Sequence, residues 1–308
     1  MDEDFQARAS EPIELEPIRF VRQPRLPGSI VLRESEDAVL DALGAELLLH
    51  AKGCVRAFGD FHLALSATPG NEVFFRRLMY DPLLRDFPWA RTHLWIVDEA
   101  CVGFESPLSR FTPIREYIVD NSDIPPEQVH PIFPTGDSPA SEYQARFQET
   151  LAWREKGHDR LDFVMLGLET SGATLGMYPG SESLAAGESL VAWVGRGGAA
   201  RQARSDEALA RPGALEVPGV VTMTPKLINA ARFIVALMLG ARWSPLVRAL
   251  SRRGGDTGGE PGDGATEKDR PSVADSEHPS APAAETLRSW LRPTGGELRW
   301  YMDYAAAG

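Results

Sequence analysis

Cysteine is nearly absent from this 308-residue chain. The two that occur, Cys54 and Cys101, have no CxxC or metal-ligand spacing, so neither a disulfide framework nor a cysteine metal site is implied. Two buried, reduced thiols are expected. The chain also lacks a dense Lys/Arg run. With 32 basic against 44 acidic residues and a formal charge of -12, no nucleic-acid footprint is expected. Long apolar runs are missing too. The longest, near FIVALMLG (233–240), is far short of the roughly 20 residues that cross a bilayer, so no membrane partner is expected. The first residues, MDEDFQARASE, are acidic and carry no apolar core of a signal peptide, which leads to an expectation of a cytoplasmic protein. The six histidines look scattered: His50, His62, His93, His158 and His278 form no visible ligand set, and His130 reads as structural.

What is present is ordinary globular composition, 43% hydrophobic and 25% charged. Residues 1–30 hold Pro12, Pro17, Pro24 and Pro27 and read as an irregular extension, with one candidate strand near IELEPIRFV. From Ser35 the apolar residues Val39, Leu40, Leu43, Leu47, Leu48, Ala51 and Val55 fall at helical spacing. Ser35 suits an N-cap and Gly59 a stop. Strands are then expected at 61–66, 92–97, 129–133, 161–166, 190–195, 220–224 and 297–303. Helices are expected at 69–78, 109–119, 138–157 and 225–240. Strands alternating with helices predict an α/β fold with a largely parallel, Rossmann-like sheet. Residues 251–285 are Gly, Pro, Ser and charge and bury almost nothing, so a disordered insert is expected there.

In open α/β sheets ligands bind beyond the carboxyl ends of the strands. Three such ends are suggestive: Ser66-Ala67-Thr68-Pro69, Val97-Asp98-Glu99-Ala100, and Gly167 to Gly180. Five blocks, ALSATP, VDEA…SR, MLGLETSGATLGMYPG, VVTMTPKLINAA and GGELRWYMDYAAA, follow one another as in the 6-phosphogluconolactonase family, relatives of glucosamine-6-phosphate isomerase. The resemblance covers residues from about 31 to 308. It implies that family's fold, a sugar-phosphate ligand, and no cofactor or metal.

The residues that would carry the family's chemistry depart from its pattern. The glycine-rich loop that holds phosphate on backbone N–H groups in the family is shortened here to Ser66-Ala67-Thr68. The two arginine positions that resemblance assigns to phosphate are Ala100 and Val220. In the DGH motif the Asp position is Ser171 and the His position, the expected general base, is Ala173. Lactone hydrolysis by activated water is therefore expected to be lost, and a positioned base alone commonly contributes about 10²–10⁴ in rate. Ser66, Thr68, Arg110, Gly172, Thr174 and Lys226 remain as candidate ligand contacts. Arg110 and Lys226 are the cations that could substitute for the lost ones. Asp98, Glu99 and Glu169 remain as candidate acids or bases. Against that stands a bland reading in which Asp98 or Glu99 caps a helix or pairs with Arg110 or Arg115, and Glu169 faces solvent. The expectation is a degenerate member of the family that binds an altered small molecule or a protein partner. The alternative is a lactonase with a rearranged site.

Overall fold

A computed structural model describes residues 22–170, 172, 176–178, 180–195, 218–251 and 280–308. The candidate strand at 13–21, most of the expected insert (252–279), and Ser171, Ala173 and Thr174 lie outside the described residues.

A seven-stranded sheet forms the centre. Its strands are β1 (Ser29–Arg33), β2 (Phe61–Leu65), β3 (Thr92–Ile96), β5 (Val129–His130), β6 (Phe163–Leu166), β9 (Phe233–Met238) and β10 (Glu297–Asp303). Their order is β1-β10-β9-β6-β2-β3-β5, and every neighbouring pair is parallel. The central strands are buried on both faces, which is why FHLAL and FVML are continuous apolar runs rather than alternating ones. A second, antiparallel sheet holds β4 (Asp98–Ala100), β8 (Gly219–Met223) and β7 (Val191–Gly195), in the order β4-β8-β7.

The first helix, α1 (Glu36–Phe58), starts where Ser35 accepts a hydrogen bond from the Ala38 N–H. It ends at Gly59, whose φ of 91° is the left-handed conformation that glycine adopts at low cost. It buries Val39, Leu40, Leu43, Leu47 and Ala51 against the sheet. The next helix, α2 (Pro69–Tyr80), has Pro at its first turn and Thr68 as N-cap. Further helices are α3 (Phe111–Tyr117), α4 (Pro139–Leu151), α5 (Pro225–Asn229), α6 (Ser244–Ser251), α7 (Ser280–Trp290) and α8 (Tyr304–Ala307).

Several elements differ from the sequence reading. The segment 225–240 is not one helix. It is five residues of α5 followed by β9, whose six residues are all buried between β6 and β10. A short apolar run buried on all sides has no period to reveal its type. The strand β1 begins at Ser29, inside the range assigned to the irregular extension, and α7 begins at Ser280, inside the range of the expected insert. The 92–97 strand ends at Ile96. Asp98 and Glu99 therefore lie on β4, which opens the second sheet.

Candidate functional site

The carboxyl ends of β2 and β6 converge with the start of β4. Gly167 follows β6 and sits so close to Ser66 that a Cβ there would lie 2.1 Å from the Ser66 Oγ. Asn71, one turn into α2, donates from Nδ2 to the carbonyls of Ser66 and Leu166, at 2.9 and 3.1 Å. One buried amide thus ties the ends of two neighbouring strands together. Sequence reasoning did not single out Asn71; its position three residues after a Thr N-cap was the only signal. Thr68 itself is spent on capping α2, accepting from the Asn71 N–H at 3.4 Å.

Beside this junction lies a buried polar chain. The Ser66 hydroxyl donates to Asp98 at 2.5 Å, and the other Asp98 oxygen pairs with the Arg110 guanidinium. Ser66 and Asp98 are fully buried, while the Arg110 side chain is 20% exposed. The charge of Asp98 is therefore balanced inside the protein. Glu99 does a different job. Its carboxylate accepts from the Ser109 hydroxyl and from the backbone N–H groups of Ala100, Arg110 and Phe111, at 2.7–3.1 Å. These last two N–H groups open α3, so Glu99 caps that helix from a distant strand. Burial raises its pKa, and the four donors pull the other way.

Two family positions become informative only in the second sheet. Ala100 on β4 and Val220 on β8 are directly opposite each other in the antiparallel ladder. Both are buried, at 3% and 8% exposure. Cross-strand partners on such a ladder stand about 5 Å apart. Side chains at these two positions therefore stand side by side, and here they form a small apolar pair. Gly176, in the loop after β6, lies over the same strand: a side chain there would meet Val220 and Thr222.

The other candidates are dispersed. Lys226, at the start of α5, pairs with Glu188 on an exposed surface, a kind of contact that contributes little in water. Glu169 is half-buried three residues beyond β6, and its carbonyl accepts from the Gly172 N–H.

At the opposite, amino end of the sheet the structure overturns one sequence reading. The histidines are not scattered: Asp60, His62 and His93 bring a carboxylate and two imidazoles within 4.8 Å of one another. His130 joins them, its Nε2 3.0 Å from the His93 Nδ1. These residues sit on adjacent strands in register, His62 opposite His93, a proximity hidden in a linear sequence. The hydrogen bonds argue against metal ligation at His62. The Trp95 indole, which can only donate, gives its N–H to the His62 Nδ1 at 3.0 Å. The His62 proton is then on Nε2, directed at Asp60 at 3.0 Å, so neither nitrogen has a free lone pair. Asp60 also receives Arg154, which bridges it to Asp162. Burial raises the Asp60 carboxyl, but these partners outweigh it and hold it low. Burial pushes His93 down to about 4 and His130 to about 3, so both are neutral at neutral pH.

The family model of glucosamine-6-phosphate isomerases and 6-phosphogluconolactonases matches residues 34–271. The chain belongs to this family. Among its relatives, the GDH/6PGL endoplasmic bifunctional protein of Oryctolagus cuniculus is 27% identical over 278 residues, which is 88% of this chain but 29% of that protein. The chain thus spans less than a third of that relative's length. The 6-phosphogluconolactonase of Synechocystis sp. is 29% identical over 167 residues, covering 53% of this chain and 62% of that one. The fold agrees with solved structures of family members. The 6-phosphogluconolactonase of Trypanosoma brucei superposes with a TM-score of 0.61 at 19% identity, covering 92% of this chain and 98% of that one. A monomeric glucosamine-6-phosphate deaminase gives 0.64 at 16% identity, covering 91% and 98%. No helix among the described residues is long and apolar enough to cross a membrane.

Proposed function

We propose that this chain is a family member that has lost hydrolysis of a phosphorylated sugar lactone and keeps the crevice at the strand ends for a less anionic small molecule or a protein partner. The observation that carries this reading is the cross-strand pair Ala100–Val220. Where the family resemblance places two phosphate-holding arginines, this chain has a closed apolar contact under the loop of Gly176. A phosphate dianion placed there would be desolvated without charge-assisted partners. The nearest candidate substitute, Arg110, is held by buried Asp98. The motif position expected to hold the base is Ala173, which has no proton to exchange.

A second reading, a 6-phosphogluconolactonase with a rearranged site, is supported by the names of the relatives. It would need Arg110 to release Asp98 for substrate and Glu169 to serve as base, with Ser66, Thr68, Gly172, Thr174 and Lys226 as the remaining contacts. Isothermal titration with 6-phosphogluconate separates the two. The first reading expects no saturable heat at millimolar ligand. Saturable binding that Arg110→Ala removes would establish the second.

A further inference from the structure

A cavity of about 270 Å³ opens at the amino end of the sheet, far from the strand ends discussed above. Phe58 and Trp153 supply its apolar walls; Asp60, Arg91, His93 and Gln128 supply its polar groups. That volume suits a ligand of one ring and a few substituents.

The polar groups have spare capacity of particular kinds. Gln128 donates its Nε2–H to the Ala90 carbonyl at 3.2 Å, which fixes the orientation of the amide. Its Oε1 is buried and has no hydrogen-bond partner among the described residues. Arg91 uses Nε on the Gly59 carbonyl at 2.8 Å and enters no ion pair among the described residues. Its terminal N–H groups can take a planar anion. His93 commits Nδ1 to His130, while its Nε2 lies 3.9 Å from Asp60, too far for a hydrogen bond. The charge of Asp60 favours the tautomer with its proton on that nitrogen, which makes His93 a donor.

Electrostatics selects the sign of the ligand. Asp60 is neutralised by Arg154, Arg154 by Asp162, and Asp162 also by Arg232. Within this linked set Arg154 and Arg232 balance Asp60 and Asp162, two guanidiniums to two carboxylates. Arg91, outside that set, adds a positive charge at the cavity wall of a chain whose formal charge is -12, so an anion is favoured beside it. Trp153 is 59% exposed, an indole face open for stacking.

We infer that this cavity binds a small aromatic carboxylate, the carboxylate on Arg91 and His93 and the ring on Trp153. Nothing in this site depends on the reading of the strand-end crevice.

The test is titration of the full chain with 4-hydroxybenzoate, followed by ligand-observed NMR and calorimetry, with 4-hydroxybenzyl alcohol as the uncharged control. Saturable binding is expected, with the alcohol about tenfold weaker, the loss of one charge-assisted pair. Arg91→Ala should weaken 4-hydroxybenzoate by a similar factor, and Trp153→Ala should weaken acid and alcohol alike. Both side chains are exposed, so the variants should melt as the parent does. No saturation by the parent at millimolar ligand overturns the proposal. So does equal binding by Arg91→Ala, or Zn²⁺ binding that His93→Ala abolishes, which would make the cluster a metal site.

Discussion

Removing the Arg110 guanidinium would leave the Asp98 carboxyl without its counter-charge in a place with no water contact. Asp98 is fully buried, and its other oxygen is occupied by the Ser66 hydroxyl at 2.5 Å. Breaking a buried ion pair by deleting one partner commonly costs about 3–5 kcal/mol. Arg110 is one-fifth exposed and the Ser66 bond survives, so Arg110→Ala should cost about 2–4 kcal/mol. The second arm is Asp98→Asn in the Arg110→Ala background. The neutral amide still accepts from Ser66 and needs no counter-charge, so about 1–2 kcal/mol should return. Urea unfolding followed by tryptophan fluorescence reads both values from the midpoint shifts. If Arg110→Ala unfolds within about 0.5 kcal/mol of the parent, the pair is not structural. Arg110 would then be free to serve a ligand, its charge not spent on Asp98.

Three further outcomes are expected. Acidification from pH 6.5 to 5 should destabilise the protein. His93 and His130 have folded pKa values of about 4 and 3, below the unfolded value near 6.5. The unfolded chain therefore takes up protons first, and stability present above pH 6.5 falls by roughly 2 kcal/mol per histidine over that window. His93→Asn should flatten the slope, and an unchanged slope contradicts the account. Gly167→Ala should cost at least about 1–3 kcal/mol, because its Cβ would overlap the Ser66 Oγ; a melting temperature equal to the parent's would show that the junction of β2 and β6 is loose. Cys54, buried with its thiol pushed up to about 12, should resist iodoacetamide at pH 8 until denaturant is added, and rapid native labelling would refute that.

The legible parts of the fold were those with a period or a cap. The amphipathic stripe of α1 between Ser35 and Gly59, and the Thr68-Pro69 start of α2, are local signals, and the structure follows them. The strand β9 was not legible. FIVALM is apolar on every face because it lies between two strands and beneath helices, and a run without polar residues carries no period. The short strand β4 was hidden for another reason: three residues bend away after Val97 to pair with β8, a partner more than a hundred residues on. Departures from the family's motif could be read residue by residue at positions 100 and 220. That these two face each other could not, because register between distant strands is a tertiary property. The same holds for His62 and His93, 31 positions apart in sequence and neighbours across β2 and β3.

One rate tests the chemistry at the strand ends most directly. Purified protein should be added to freshly generated 6-phosphogluconolactone at neutral pH and lactone loss followed against the spontaneous reaction. With Ala100 facing Val220 and Ala173 at the motif's base position, the rate should equal background at any enzyme concentration. A rate that rises in proportion to enzyme, and falls with Glu169→Gln or Arg110→Ala, would show that catalysis was rebuilt on other residues and that the apolar pair does not disable the site.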